Sequence, residues 1–105
     1  MRILIADDDE DLADTLAHML SGHEVQISTN GEDAFNLYCY CLSEGVTFDF
    51  VLLGLELPGM DGIALRHAIR DKNPNQAMGW TTGYPVLQRP HDRDALLRFI
   101  EEEMS

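Results

Sequence analysis

Apolar positions along the chain follow two different periods. Residues 2–6 and 50–53 are short, continuous apolar runs. A run without alternation suits a strand buried on both faces, which means a parallel sheet covered by helices. Residues 24–28 alternate instead, with Val25 and Ile27 expected to face inward, and read as a strand nearer the sheet edge. Between these runs, apolar residues recur at helical spacing. Leu12, Leu16, Met19 and Leu20, with Ala13 and Ala17 beside them, predict a first helix ended by Gly22. A turn at Asn30-Gly31 leads to a second stripe, Ala34, Phe35, Tyr38, Cys41 and Leu42, closed near Gly45. Ala64, Leu65, Ala68 and Ile69 predict a third helix, stopped before Pro74. Residues 76–84 are less regular and 85–88 read as a short strand. Leu96, Leu97, Ile100 and Met104 form the stripe of a last helix, with Phe99 flanking it and Asp92 as N-cap. The expected order is β α β α β α β, then β α, in a single α/β domain over residues 1–105.

The central strand ends at Gly54, and a loop follows. Pro58-Gly59 marks a turn, because proline presets φ and glycine tolerates positive φ. Asp61-Gly62 opens the next helical pattern. In open α/β sheets the carboxyl edge of the strands is where ligands and chemistry sit. A second cluster falls on the same edge. The first strand runs directly into Asp7-Asp8-Asp9-Glu10-Asp11, five consecutive acids. Acids after a strand favour a helix N-terminus through capping and the dipole, and Asp9, Glu10 and Asp11 are assigned that role. Asp7 and Asp8 are candidates for a hard cation such as Mg²⁺, which needs only one or two carboxylates plus water.

Charge narrows the partners. Seven basic residues against nineteen acidic ones give a net charge of −12, which disfavours nucleic acid and anionic membrane. No apolar run has the length of a membrane span, and the start of the chain lacks the form of a signal peptide. Cys39 and Cys41 are two apart in a helical pattern and point to different faces, so they read as reduced thiols of a cytoplasmic protein. His18, His23, His67 and His91 lie in separate elements without ligand spacing. Tyr38, Tyr40 and Tyr84 read as packing or surface residues, Tyr84 being the one placed to signal.

The stretch Asp-Phe-Val-Leu-Leu-Gly-Leu-Glu-Leu-Pro-Gly-Met-Asp-Gly (49–62) resembles the third strand and following loop of the response regulator receiver domain (CheY-like). Ile-Leu-Ile-Ala-Asp-Asp-Asp (3–9) resembles its first strand and acidic pair. Thr-Gly-Tyr (82–84) and Arg89-Pro90 resemble, more loosely, its hydroxyl residue and its Lys-Pro pair. The resemblance extends over residues 2–103. It implies a flavodoxin-like sheet of order 2-1-3-4-5 with helices on both faces, and a role in two-component phosphorelay signalling. By that resemblance Asp7, Asp8 and the backbone carbonyl of Glu56 match the Mg²⁺ ligands, Thr82 the hydroxyl that contacts the phosphoryl group, and Arg89 the lysine, with a cis bond expected before Pro90.

Two departures change what the resemblance implies. Gly54 stands where the family has its phosphoacceptor aspartate. Glycine offers no nucleophile and no metal ligand, so Mg²⁺ is expected to bind weakly or not at all, and no other cofactor is expected. Only six residues separate Thr82 from Arg89. A parallel crossover needs about a dozen residues or more, so the helix usual between the fourth and fifth strands is expected to be missing. The leading expectation is a non-enzymatic, receiver-like interaction module that binds a histidine kinase, a phosphotransfer protein, a partner receiver or an output protein without phosphorylation at the usual site. The alternative is a phosphoryl-accepting response regulator in which Gly54 replaces a native Asp by engineering, or in which Asp7, Asp8 or Glu56 accepts the group. A flavodoxin-like nucleotide or flavin binder needs a Gly/Ser/Thr-rich loop after the first strand. The five acids there would repel a phosphate.

Overall fold

A computed structural model describes residues 1–81 and 93–104. The elements are β1 (Arg2–Ala6), α1 (Glu10–Met19), β2 (Glu24–Ser28), α2 (Gly31–Ser43), β3 (Phe50–Leu53), α3 (Gly62–Lys72), β4 (Met78–Trp80) and α4 (Arg93–Met104). Every strand pairing is parallel, in the order β2-β1-β3-β4. The strand expected at 85–88, the Arg89-Pro90 bond and the Asp92 cap lie outside the described residues.

Alternation within β1 and β3 divides the core into two layers. Ile3, Ile5, Phe50 and Leu52 face α1 and α4, where they meet Ala13, Leu16, Leu20, Leu96 and Ile100. Leu4, Ala6, Val51 and Leu53 face α2 and α3, where they meet Ala34, Tyr38, Leu65 and Ile69. Burying an aliphatic side chain of this size is worth about 1.5–3 kcal/mol, whereas strand propensities span about 1 kcal/mol in all. Two-sided burial therefore fixes these strands, which is why they read as unbroken apolar runs.

β2 differs. Among the described strands it pairs with β1 alone and forms the sheet edge. Val25 packs against the α1 layer, but Ile27, expected inward, is 37% exposed. An edge strand has a neighbour on one side only, so alternation there marks orientation without guaranteeing cover. Asn30-Gly31 also differs from the expected turn. Asn30 is the N-cap of α2, its side chain accepting from the Asp33 amide at 2.8 Å, and Gly31 is the first helical residue. Asp9 and Asp61 cap α1 and α3 in the same way, accepting from the amides of Leu12 at 3.1 Å and Ala64 at 2.8 Å.

A buried polar network ties α2 to the segment before β4. The Tyr38 hydroxyl donates to Oε1 of Gln76 at 2.6 Å. The Gln76 amide donates in turn to the carbonyls of Phe48 and Ala77, and Nδ2 of Asn73 donates to the Tyr38 oxygen at 3.3 Å. The Tyr38 ring stacks on Phe48, with centroids 6.0 Å apart. Burial pushes the Tyr38 phenol above its ordinary range, opposed in part by the bond from Asn73.

Candidate functional site

Parallel register brings three chain positions to one level at the carboxyl edge. Ala6 pairs with Leu53, and Leu53 with Trp80. The next residue of each strand is therefore Asp7, Gly54 and Thr81. Backbone bonds hold all three: the Gly54 amide donates to the Ala6 carbonyl at 2.7 Å, the Thr81 amide to the Leu53 carbonyl at 2.8 Å, and the Asp7 amide to the Ser28 carbonyl at 3.0 Å.

Asp7 is buried, at 5% exposure, and both of its oxygens are engaged. Oδ1 accepts from the Asp9 amide at 2.9 Å. Oδ2 accepts from the Thr81 hydroxyl at 2.8 Å, and Thr81 is 1% exposed. A carboxylate taken out of water needs such donors, since an unpaired buried charge is costly. Around this pair lies a cavity of about 300 Å³, lined by Asp8, Asp9, Gly54, Glu56, Asp7 and Thr81 among others. Asp8 and Glu56 are exposed at its mouth.

Gly54 is the floor against which Asp7 rests. A Cβ built there would lie 2.9 Å from Oδ2 of Asp7, 3.1 Å from its carboxyl carbon and 3.3 Å from the Ala6 carbonyl oxygen. Those separations are below ordinary carbon contacts, so a side chain at position 54 requires the Asp7 carboxylate to shift. Such a shift strains the bond from Thr81. The loop beyond is held just as closely. The Gly62 amide donates to the Leu55 carbonyl at 2.9 Å, and the Gly31 amide to the Pro58 carbonyl at 3.0 Å. A Cβ at Gly62 would collide with the Gly54 carbonyl, and one at Gly31 with the Met60 carbonyl. Gly59, at φ 80°, makes the turn that lets the loop pass both helix starts.

The structure thus brings together Asp7, Asp8, Glu56 and Gly54. Thr82, the residue named from the sequence for the hydroxyl, lies outside the described residues, as does Arg89. The hydroxyl found at the site is that of Thr81. β4 ends at Trp80, so Thr81 is the first residue past it and lies level with Gly54. The donor set falls short of a full Mg²⁺ site. Asp7 already accepts two hydrogen bonds, Gly54 contributes no side-chain oxygen, and among the described residues no group of three His, Cys, Asp or Glu side chains is placed to hold a metal.

Comparison with known proteins agrees with this fold. The profile of the family described as "Response regulator receiver domain" matches residues 3–96. A response regulator receiver protein of Anaeromyxobacter sp. (strain Fw109-5) is 37% identical over 78 residues, covering 72% of this chain and 31% of that protein. A protein of Thermotoga maritima named a cyclic di-GMP phosphodiesterase is 36% identical over 86 residues, covering 80% of this chain but 22% of that protein. The chain therefore spans less than a third of the length of these relatives, and their full names describe more than it matches. Among solved structures, a CheY-like receiver domain from Methanospirillum hungatei JF-1 superposes with a TM-score of 0.74 at 22% identity, covering 98% of this chain and 92% of that one.

Proposed function

Since the chain belongs to the response regulator receiver domain family, whose members are signalling modules of two-component systems, we propose that it serves as an interaction module that is not phosphorylated at the usual position. The observation that carries this reading is the occupancy of the site's centre. At the carboxyl end of β3 there is a glycine, and a side chain there would crowd the Asp7 carboxylate. A receiver's chemistry is nucleophilic attack by a carboxylate on a phosphoryl group. Gly54 has nothing to attack with, and Asp7 is held by two donors in a buried position. Glu56 lies two residues beyond the strand end, exposed to solvent.

In this reading the domain signals by being bound. Its partners are other two-component proteins: a histidine kinase, a phosphotransfer protein or an output protein. Mg²⁺ binds weakly, through Asp7, Asp8 and the Glu56 carbonyl, and supplies no reaction. The test is amide NMR in Mg²⁺ with and without beryllofluoride, a phosphoryl mimic that needs an acceptor carboxylate. The spectrum is expected to stay unchanged at Gly54 and Thr81. Saturable shifts at those two amides would overturn the reading and return a carboxylate of the pocket as the acceptor.

A further inference from the structure

We propose that the groove between the loop after β3 and the first turn of α3 docks a basic, amphipathic helix of a partner protein. The proposal rests on the interaction-module reading and adds to it the surface and the chemistry of the partner. The groove has a volume of about 650 Å³ and is lined by Asp8, Leu55, Glu56, Leu57, Asp61 and Ile63, among others. Four large apolar residues are exposed among the described residues, and two of them, Leu55 at 42% and Ile63 at 56%, lie here. Single exposed apolar residues are ordinary; these two line the same groove, which has a polar rim.

The pair is also fixed in place. The Gly62 amide bonds the Leu55 carbonyl, and Gly62 packs against the Gly54 carbonyl so closely that no side chain fits there. Leu55 and Ile63 are thus presented by a rigid backbone, which lowers the ordering cost of binding. Charge selects the occupant. Asp8, Glu56 and Asp61 rim the groove, and no described basic residue forms an ion pair with Asp8 or Glu56. The chain's net charge of −12 steers cationic partners toward it and repels a second copy of itself. A helix with apolar residues at i and i+3 or i+4, flanked by Lys or Arg, meets both the apolar floor and the acidic rim.

The probe is a fluorescein-labelled model helix of Leu and Lys at helical spacing, titrated into the full chain and followed by anisotropy. A peptide of the same composition with the spacing scrambled is the control. The patterned helix is expected to bind about tenfold or more tightly than the scrambled one, and Leu55→Ser and Ile63→Ser are each expected to weaken it about tenfold. Both side chains are exposed, so unchanged circular dichroism and thermal melting will show that the variants fold. Asp8→Asn with Glu56→Gln should flatten the salt dependence. Equal binding of both peptides overturns the proposal, as does patterned binding indifferent to both Ser variants. An Ile63-dependent dimer in sedimentation without peptide binding also overturns it, assigning the groove to a second copy. The underlying reading fails separately: a chain that reacts with a phosphodonor yet binds the patterned helix through Leu55 and Ile63 keeps the groove and loses the phosphate-independent module. Binding of the helix at another face loses the groove alone.

Discussion

The Thr81 hydroxyl donates to Oδ2 of Asp7 at 2.8 Å, and that same oxygen lies 2.9 Å from the place a Cβ on Gly54 would take. A side chain at position 54 therefore crowds the oxygen that accepts this bond. Residues from three parallel strands are thereby coupled through a single carboxylate oxygen.

That coupling is measurable. Gly54→Ala forces Asp7 aside and disturbs a hydrogen bond to a charged group worth about 1.5–3 kcal/mol. Reducing the flexibility of the unfolded chain returns about 0.4–1 kcal/mol. The expected net loss is about 1–2 kcal/mol in urea unfolding. In a Thr81→Val background the bond is already gone, so the alanine should cost at least about 0.5 kcal/mol less. Strict additivity in the double-mutant cycle would contradict the geometry.

Thr81→Val alone leaves Oδ2 of Asp7 buried without its hydroxyl donor. A loss of about 1.5–3 kcal/mol is expected, and Thr81→Ser should restore most of it by keeping the hydroxyl. Equal loss in both variants would assign the effect to the Thr81 methyl group and not to the bond.

Tyr38→Phe keeps the ring stacked on Phe48 and removes the donor to Gln76. Gln76 is buried, so its oxygen is left unsatisfied at a cost of about 1–3 kcal/mol. Gln76→Leu in the Tyr38→Phe background should cost less than in the unaltered chain. The cycle is read from denaturant midpoints.

The same tyrosine gives a pH dependence. Burial raises its folded value above the ordinary 10.0. A raised acid of this kind stays protonated in the folded state while the unfolded chain ionises. The stability it contributes is complete below about pH 10 and is lost as pH rises through the folded value. Alkaline unfolding of the unaltered chain should therefore steepen above that point, and Tyr38→Phe should remove the added slope.

Gly62→Ala and Gly31→Ala test the loop. Both are first residues of helices, where alanine is ordinarily better than glycine by about 1 kcal/mol. Here the added Cβ meets a backbone carbonyl, which cannot rotate away, so each change is expected to destabilise by about 1–3 kcal/mol. Thermal melting decides the sign.

Much of this was legible in the chain. β1 and β3 read correctly because two-sided burial writes itself as an unbroken apolar run. Asp9 and Asp61 read correctly as caps or helix openings because capping is local. Ile27 misread because alternation does not report whether a helix covers the outer end of an edge strand. Thr81 was not singled out because two adjacent threonines differ only in strand register, which is set by pairing between β3 and β4 and not by either residue, and Thr82 lies outside the described residues. The contact between Gly54 and Asp7 was invisible for the same reason: it joins positions 47 apart, as read from their numbers in the sequence.

The most direct test of the central claim is intact mass after incubation with acetyl phosphate and Mg²⁺, for the unaltered chain and for Gly54→Asp. The unaltered chain is predicted to gain no phosphoryl group. A gain in Gly54→Asp alone would show that the glycine silences an otherwise competent scaffold. A stoichiometric gain in the unaltered chain would contradict the account and place the acceptor at Asp7, Asp8 or Glu56.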